Sequence, residues 1–483
     1  MYKFIKQNIS FIILVIFTFY FISTLYSALN KNIEIVYAVI LTMPLYFISV
    51  HKLALEYKSK KKISLITIFK STLFLTIPLQ FMGHVNFLES DKVIYYVSSI
   101  EVNLSDSFYT LLIVLVAFIS LDIGSSFAKK VREKKSRFIK IQSKNKSNSL
   151  VFLLFTTISI LYLNFNGISG YDTDIKYTTG YYSFIRTFSN IINPLLLMLT
   201  SINLFNNKYK PSEKYLFYIL LITQIILGLF SGMKETAIIP IIIYLVFYID
   251  SGKTISNLTI TSLFLALIIL YPINNNYRNL INSGKYKKFE SYQIYVLAVN
   301  DLFQSTTFAE IFEKGFQRYS SRSDMYSYLD HSIQNESEWG YYKNMKRYLL
   351  IPIYPIIPRF LWKSKPRADA GGEYYKLINN NNTSSAVTVS SIGWAYLEGG
   401  IIPLILIFTF IGFGLKKYNT FISPKDKVIW TTALLIVIKP EWDPFSMIVG
   451  FIQSLILIII VFRAFKLTDK IQISSVTRRK KSY

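Results

Sequence analysis

Long apolar blocks alternate with short polar connections along the chain from residue 9 to residue 465. The apolar core of a bilayer is about 30 Å thick and takes about 20 residues of helix to cross. On that spacing twelve segments read as membrane-spanning helices: 9–28, 33–50, 63–81, 108–127, 149–165, 184–205, 215–231, 236–250, 257–273, 393–415, 428–438 and 444–465. The pattern predicts an all-α polytopic membrane protein with about 12 transmembrane helices. Residues 1–273 hold spans 1 to 9, 274–392 one large connection, 393–465 spans 10 to 12, and 466–483 a basic tail. The first apolar block lacks a small-residue cleavage site and a second span follows at once, so it reads as a retained span.

Positive charge orients these segments. One set of alternating connections (1–8, 51–62, 128–148, 206–214, 251–256, 416–427 and 466–483) holds 30 Lys and Arg, and the short loops of the other set hold 5. Both termini are therefore expected on the cytoplasmic side. The run Lys129-Lys130-Val131-Arg132-Glu133-Lys134-Lys135 reads as a topology anchor at a membrane exit.

Residues 274–392 then form an external segment with 15 Lys/Arg and 10 Asp/Glu. Long loops translocate largely regardless of charge, so this cation excess does not disturb the orientation. Ser291 to Gly315 predicts an amphipathic helix with Ile294, Leu297, Leu302 and Phe303 on its apolar side, lying on the membrane surface. Tyr348 to Trp362 is largely apolar but carries Pro352, Pro355 and Pro358. That spacing opposes regular helix and favours extended backbone, at the interface or wedged into the protein. Asn379 to Ser385 reads as a polar loop.

Composition sharpens the class. Of 483 residues, 52% are hydrophobic and only 17% charged, against about a quarter charged in soluble domains. This excludes an ordinary soluble enzyme and a disordered chain. A nucleic-acid partner is excluded too, despite a net charge of +25, because the cations sit at membrane exits and in one external segment. The chain has no Cys and three His (His51, His84, His331), which removes thiolate chemistry and leaves little for a metal centre. No zinc-ligand spacing, phosphate-cradling glycine loop or Asp-rich pair is present. The sequence implies no metal and no cofactor.

The external cations are disproportionately Arg. Arg278 follows Asn274-Asn275-Asn276-Tyr277, Arg318 and Arg322 lie in QRYSSRSD, Arg359 follows Pro358, and Lys365 and Arg367 flank Pro366. A guanidinium matches phosphate oxygens in a bidentate way, so this grouping suits an anionic lipid phosphate or pyrophosphate. Pairing with headgroups or with the segment's own carboxylates is the plainer use. The outward turn Gly232-Met233-Lys234-Glu235 opens span 8 with unpaired N–H groups beside a Lys, either an anion site or a polar turn whose Lys reaches the headgroups. Arg186, near the outer end of span 6, faces the same choice. Lys70 lies mid-span, a functional candidate without an evident partner.

Three stretches together resemble the bacterial oligosaccharide repeat-unit polymerases, the O-antigen or capsule polymerases of the Wzy type. They are Gly232-Met233-Lys234-Glu235, then Arg318 to Asp324 with Ile357 to Pro366, and Gly393-Trp394-Ala395-Tyr396-Leu397-Glu398-Gly399-Gly400. The span plan with one large late external loop is also similar. Many relatives carry a small–Ser–Arg turn where this chain has Gly-Met-Lys, which keeps the charge at Lys234 and loses the fork. The resemblance implies a multi-pass enzyme of the bacterial cytoplasmic (inner) membrane. At the outer face it would transfer a glycan from undecaprenyl pyrophosphate to the next lipid-linked repeat unit, without a metal. Its partners would be undecaprenyl-pyrophosphate-linked oligosaccharides, membrane lipids and a chain-length-regulating membrane protein. Pyrophosphate as leaving group calls for the cations Arg278, Arg322, Arg359, Lys234, Arg186, Arg318 and Lys365. The attacking hydroxyl calls for a general base, with Glu398 first and His331 or Asp324 as alternatives. An O-antigen ligase and a lipid-linked oligosaccharide flippase are the competing readings; a transporter would usually show internal repeats, and none is found.

Overall fold

In a computed structural model the described residues are 2–59, 63–87, 92–95, 100–130, 137–140, 146–165, 180–231, 234–253, 256–283, 291–305, 307–336, 345–357, 361–362, 374, 389–421, 427–464 and 472–475. They are helical apart from two short antiparallel ladders. The helices are α1 (Tyr2–Leu29), α2 (Ile33–Tyr46), α3 (Lys52–Lys58), α4 (Leu65–Thr76), α5 (Pro78–Phe87), α6 (Ser107–Lys130), α7 (Lys146–Phe165), α8 (Gly180–Phe205), α9 (Pro211–Phe230), α10 (Lys234–Asp250) and α11 (Asn257–Asn282). They continue with α12 (Ser291–Ser305), α13 (Phe308–Ser323), α14 (Tyr326–Gln334), α15 (Ser390–Leu397), α16 (Ile401–Phe421), α17 (Lys427–Val437) and α18 (Pro444–Ala464). Strand β1 (Lys92–Tyr95) pairs with β2 (Ile100–Asn103), and β3 (Arg137–Lys140) pairs with β4 (Gln472–Ser475) in the register Arg137↔Ser475.

Six helical stretches are long and apolar enough to cross a membrane: Ser10–Leu29, Ile33–Lys58, Leu65–Asn86, Ser107–Ala128, Pro211–Phe230 and Ile401–Asn419. Ser149–Asn164, Ile192–Phe205, Glu235–Ile249, Val428–Val437 and Pro444–Ile460 are shorter apolar helices. The tightest pairing is α6 against α16. A Cβ on Gly124 would stand 1.9 Å from the carbonyl oxygen of Thr409, and one on Gly412 would stand 2.2 Å from that of Leu121. Backbones meet there because glycine leaves no side chain between them, as small residues do between membrane helices generally.

The structure revises four sequence expectations. Span 9 does not stop at residue 273: α11 runs on to Asn282, so Asn274 to Arg278 continue the helix. Packing overrides the Asn run there, because the Asn276 amide donates to Ala298 O and to Asp301 Oδ2, both at 3.0 Å. The single helix over 291–315 is two helices. Thr307 caps α13 by accepting from Glu310 N while the Glu310 side chain accepts from Thr307 N, a capping box that separates α13 from α12. Its apolar side also shifts, with Ile294, Tyr295, Ala298 and Leu302 packed against α11 and Phe303 left exposed. Residues 345–357 are not extended: a 3-10 turn at Met345–Leu350 leads into successive turns, with Ile353 N donating to Leu350 O and Ile357 N to Ile353 O. They pack inward through Tyr354 against Phe445 and Val449. Finally, span 10 is broken. Its first residues belong to the short buried α15, and α16 begins only after Gly399 and Gly400, whose φ values of +148° and +84° favour glycine.

Candidate functional site

Helix α15 creates the site. All eight of its residues are buried. Ser390 enters it in the left-handed region at φ +49°, its hydroxyl accepting from Gly393 N at 3.2 Å. Ser391 N donates to Pro440 O at 2.8 Å, tying α15 to the connection between α17 and α18. Glu398 closes the helix, so its carboxylate is held inside at the break before α16.

There it meets Arg347, from the 3-10 turn. Arg347 Nη2 lies 2.5 Å from Glu398 Oε1 and 3.6 Å from Asp443 Oδ1. The Glu398 side chain is 0% exposed, that of Arg347 10% and that of Asp443 2%. Asp443 is already the N-cap of α18, accepting from Ser446 N at 3.0 Å, with Pro444 in the first helical position. The guanidinium sits 5.5 to 5.9 Å from the ring centroids of Phe445, Tyr348 and Trp394. Burial pulls the Arg347 pKa down, but Asp443 and Glu398 more than offset this and it ends above its ordinary value. Desolvation raises the neighbouring Tyr348 phenol. One Arg between two carboxylates and three rings fastens the 3-10 turn at Met345–Leu350 to α15 and α18.

A second assembly lies where α5, α6 and α14 meet. Asp324, 2% exposed, lies 2.9 Å through Oδ2 from His84 Nε2. Ser327 donates to it twice, from N to Oδ1 at 3.2 Å and from Oγ to Oδ2 at 2.8 Å. One turn further along α14, Asp330 accepts from Thr110 Oγ1 and from Gln334 Nε2, both at 2.5 Å. Burial, only partly countered by Thr110 and assisted by Asp106, pushes its carboxyl up to about 7. Met325 N donates to Thr76 O at 3.0 Å, and Ser107 hydrogen-bonds Tyr326, seating α14 on the membrane helices. Tyr374 links the assemblies: its hydroxyl lies 2.6 Å from Ser332 Oγ and its ring 6.1 Å from that of Trp394.

At the same end of the bundle Lys439 pairs with Glu235 and lies 4.3 Å from the Trp442 ring centroid. Lys70 of α4 does have a partner, Asp122 of α6 at 2.6 Å.

Of the base candidates, Glu398 is buried against Arg347 and Asp324 is buried in a hydrogen-bonded cluster with His84 and Ser327, while His331 Nδ1 lies 3.0 Å from the amide of Asn335. Arg278 is half-buried on α11. Arg186 lies on α8, Lys234 opens α10, and Arg318 and Arg322 lie on α13; their side chains, and residues Arg359 and Lys365 entirely, are outside the described residues. Sequence reasoning missed Arg347, Asp443, His84 and Asp330. Only the Asp-Pro helix start at Asp443 carries a local signal.

Residues 63–430 match the family described as "Domain of unknown function (DUF8712)". That stretch holds His84, Asp324, Arg347 and Glu398, and ends before Asp443. No curated protein and no solved structure matches the chain.

Proposed function

The chain belongs to this DUF8712 family, and we propose that it polymerises lipid-linked oligosaccharide repeat units at the outer face of the bacterial cytoplasmic membrane. Twelve spans, cytoplasmic termini and an external 274–392 complete that reading. The Lys/Arg asymmetry supports it, as does the ladder that brings 137–140 beside 472–475, two stretches the charge pattern puts on one side. The observation that carries it is that two carboxylates taken from the resemblance as candidate bases, Glu398 and Asp324, are buried in polar clusters, the first against Arg347 and the second against His84. They lie where the external segment folds over helix ends, the level at which the pyrophosphate of a membrane-held donor must sit.

In this reaction the acceptor hydroxyl gives its proton to a base, its oxygen bonds to the anomeric carbon, and the bond from that carbon to the pyrophosphate oxygen breaks. The electron pair leaves on undecaprenyl pyrophosphate, whose charge Arg278, Arg322, Arg359, Lys234, Arg186, Arg318 and Lys365 would neutralise. Pyrophosphate leaves readily once its charge is balanced, so fixed cations supply most of what the step needs. The test is deletion in the host followed by sizing of its surface glycan. Single capped units with no long chains support a polymerase. Loss of all capping means a ligase, and accumulation of repeat units on the inner leaflet means a flippase. Chain growth that stops in EDTA and returns with magnesium would refute metal independence.

A further inference from the structure

We propose that His84, oriented by Asp324, is the group that takes the acceptor hydroxyl's proton, an assignment that rests on the glycosyl-transfer reading above. Pro78 starts α5 and the helix carries His84 to its outer end, while the turn between α13 and α14 brings Asp324 against it across 240 residues of sequence. The division of exposure fits the roles. Asp324 is enclosed at 2%, whereas the His84 side chain is 16% exposed, so the imidazole is the part of the pair that reaches the surface.

Asp324 is held by more than the imidazole. Two donors from Ser327 fix both of its oxygens in place. An ionised carboxylate against one ring nitrogen orients the imidazole and balances its charge when a proton arrives, the division of labour seen in carboxylate–histidine catalysis generally. The ring of Tyr326, 5.9 Å from that of His84, packs against the pair from α14. Arg322, a cation candidate, stands two residues before Asp324 on the last turn of α13.

The other candidates are worse placed. Glu398 is 0% exposed, and its partner is a guanidinium that stays charged. Asp330 is fully buried between Thr110 and Gln334. In the step assigned here, the acceptor O–H proton passes to the His84 imidazole as the oxygen attacks the anomeric carbon and pyrophosphate departs. The imidazolium so formed is paired with Asp324 until it releases the proton to water.

The experiment uses the full-length chain in a deletion strain, with membranes that supply the host's own lipid-linked repeat units and chain length as readout. General-base removal typically costs ~10²–10⁴-fold, so H84A and H84Q should each slow chain growth by at least about a hundredfold at normal membrane levels. Added imidazole should restore growth to H84A in part but not to D324N, which keeps its imidazole and lacks the carboxylate. A merely structural His84 would not respond to imidazole. Near-normal growth by H84Q, or an H84A deficit that imidazole leaves unchanged, overturns the assignment while the wild-type protein still polymerises. Failure of the wild-type protein to restore long chains overturns the glycosyl-transfer reading and this assignment with it.

Discussion

Replacing Arg347 by Met leaves the carboxylates of Glu398 and Asp443, 0% and 2% exposed, facing each other without their cation. Removing one partner of a buried ion pair costs about 3–5 kcal/mol, because the remaining charge stays desolvated. At 1.4 kcal/mol per factor of ten, 3 kcal/mol raises the open fraction of this region roughly a hundredfold. A Cys at Ala395, a fully buried position on α15 in a chain without native Cys, reports that fraction through its maleimide labelling rate. R347M should label far faster than the A395C parent. Adding E398Q to R347M should slow it again, since one stranded charge has gone; the coupling between such neighbours runs to about 0.5–3 kcal/mol. If R347M labels at the parent rate, or E398Q speeds R347M further, then the Arg347 ion pairs are not what seats α15.

Three more outcomes follow from the packing and the charge pattern. Asp330 titrates near 7 when α14 is seated and near its ordinary 3.8 when it is not, so the seated form alone holds a proton between those values. Raising pH from about 4 to 7 should therefore loosen α14, with no further change above 7, and D330N should abolish that dependence in hydrogen exchange. G124L or G412L should greatly reduce recovery of monodisperse protein, because each Cβ would meet backbone within 2.2 Å, while G414L, with nothing within 4 Å, should be tolerated on size-exclusion chromatography. An impermeant thiol reagent on intact cells (or spheroplasts, if an outer membrane intervenes) should label S283C at the end of α11 and spare S251C, and the reverse pattern would invert the topology.

By itself the sequence determined where helices run. In a bilayer each backbone N–H and C=O must be satisfied within its own segment, so an apolar block of sufficient length is a helix whatever it packs against. The predicted 108–127 became Ser107–Lys130, and the short block 428–438 became Lys427–Val437. The family resemblance added Glu398, with His331 or Asp324 as alternatives, as candidate bases for an acceptor hydroxyl. Only the tertiary structure decided their partners. Arg347 and Asp443 stand far from Glu398 in sequence, and His84 stands 240 residues from Asp324, so no local period encodes either contact. The breaks were likewise tertiary. The apolar pattern ran span 10 straight through Gly399-Gly400, whereas the chain breaks there with α15 buried against the connection at Pro440. The Asn run after residue 273 had turn propensity and folded as helix, because α12 offered Asn276 two acceptors and a packed face, and packing outweighs propensity differences of about 0.7 kcal/mol per residue.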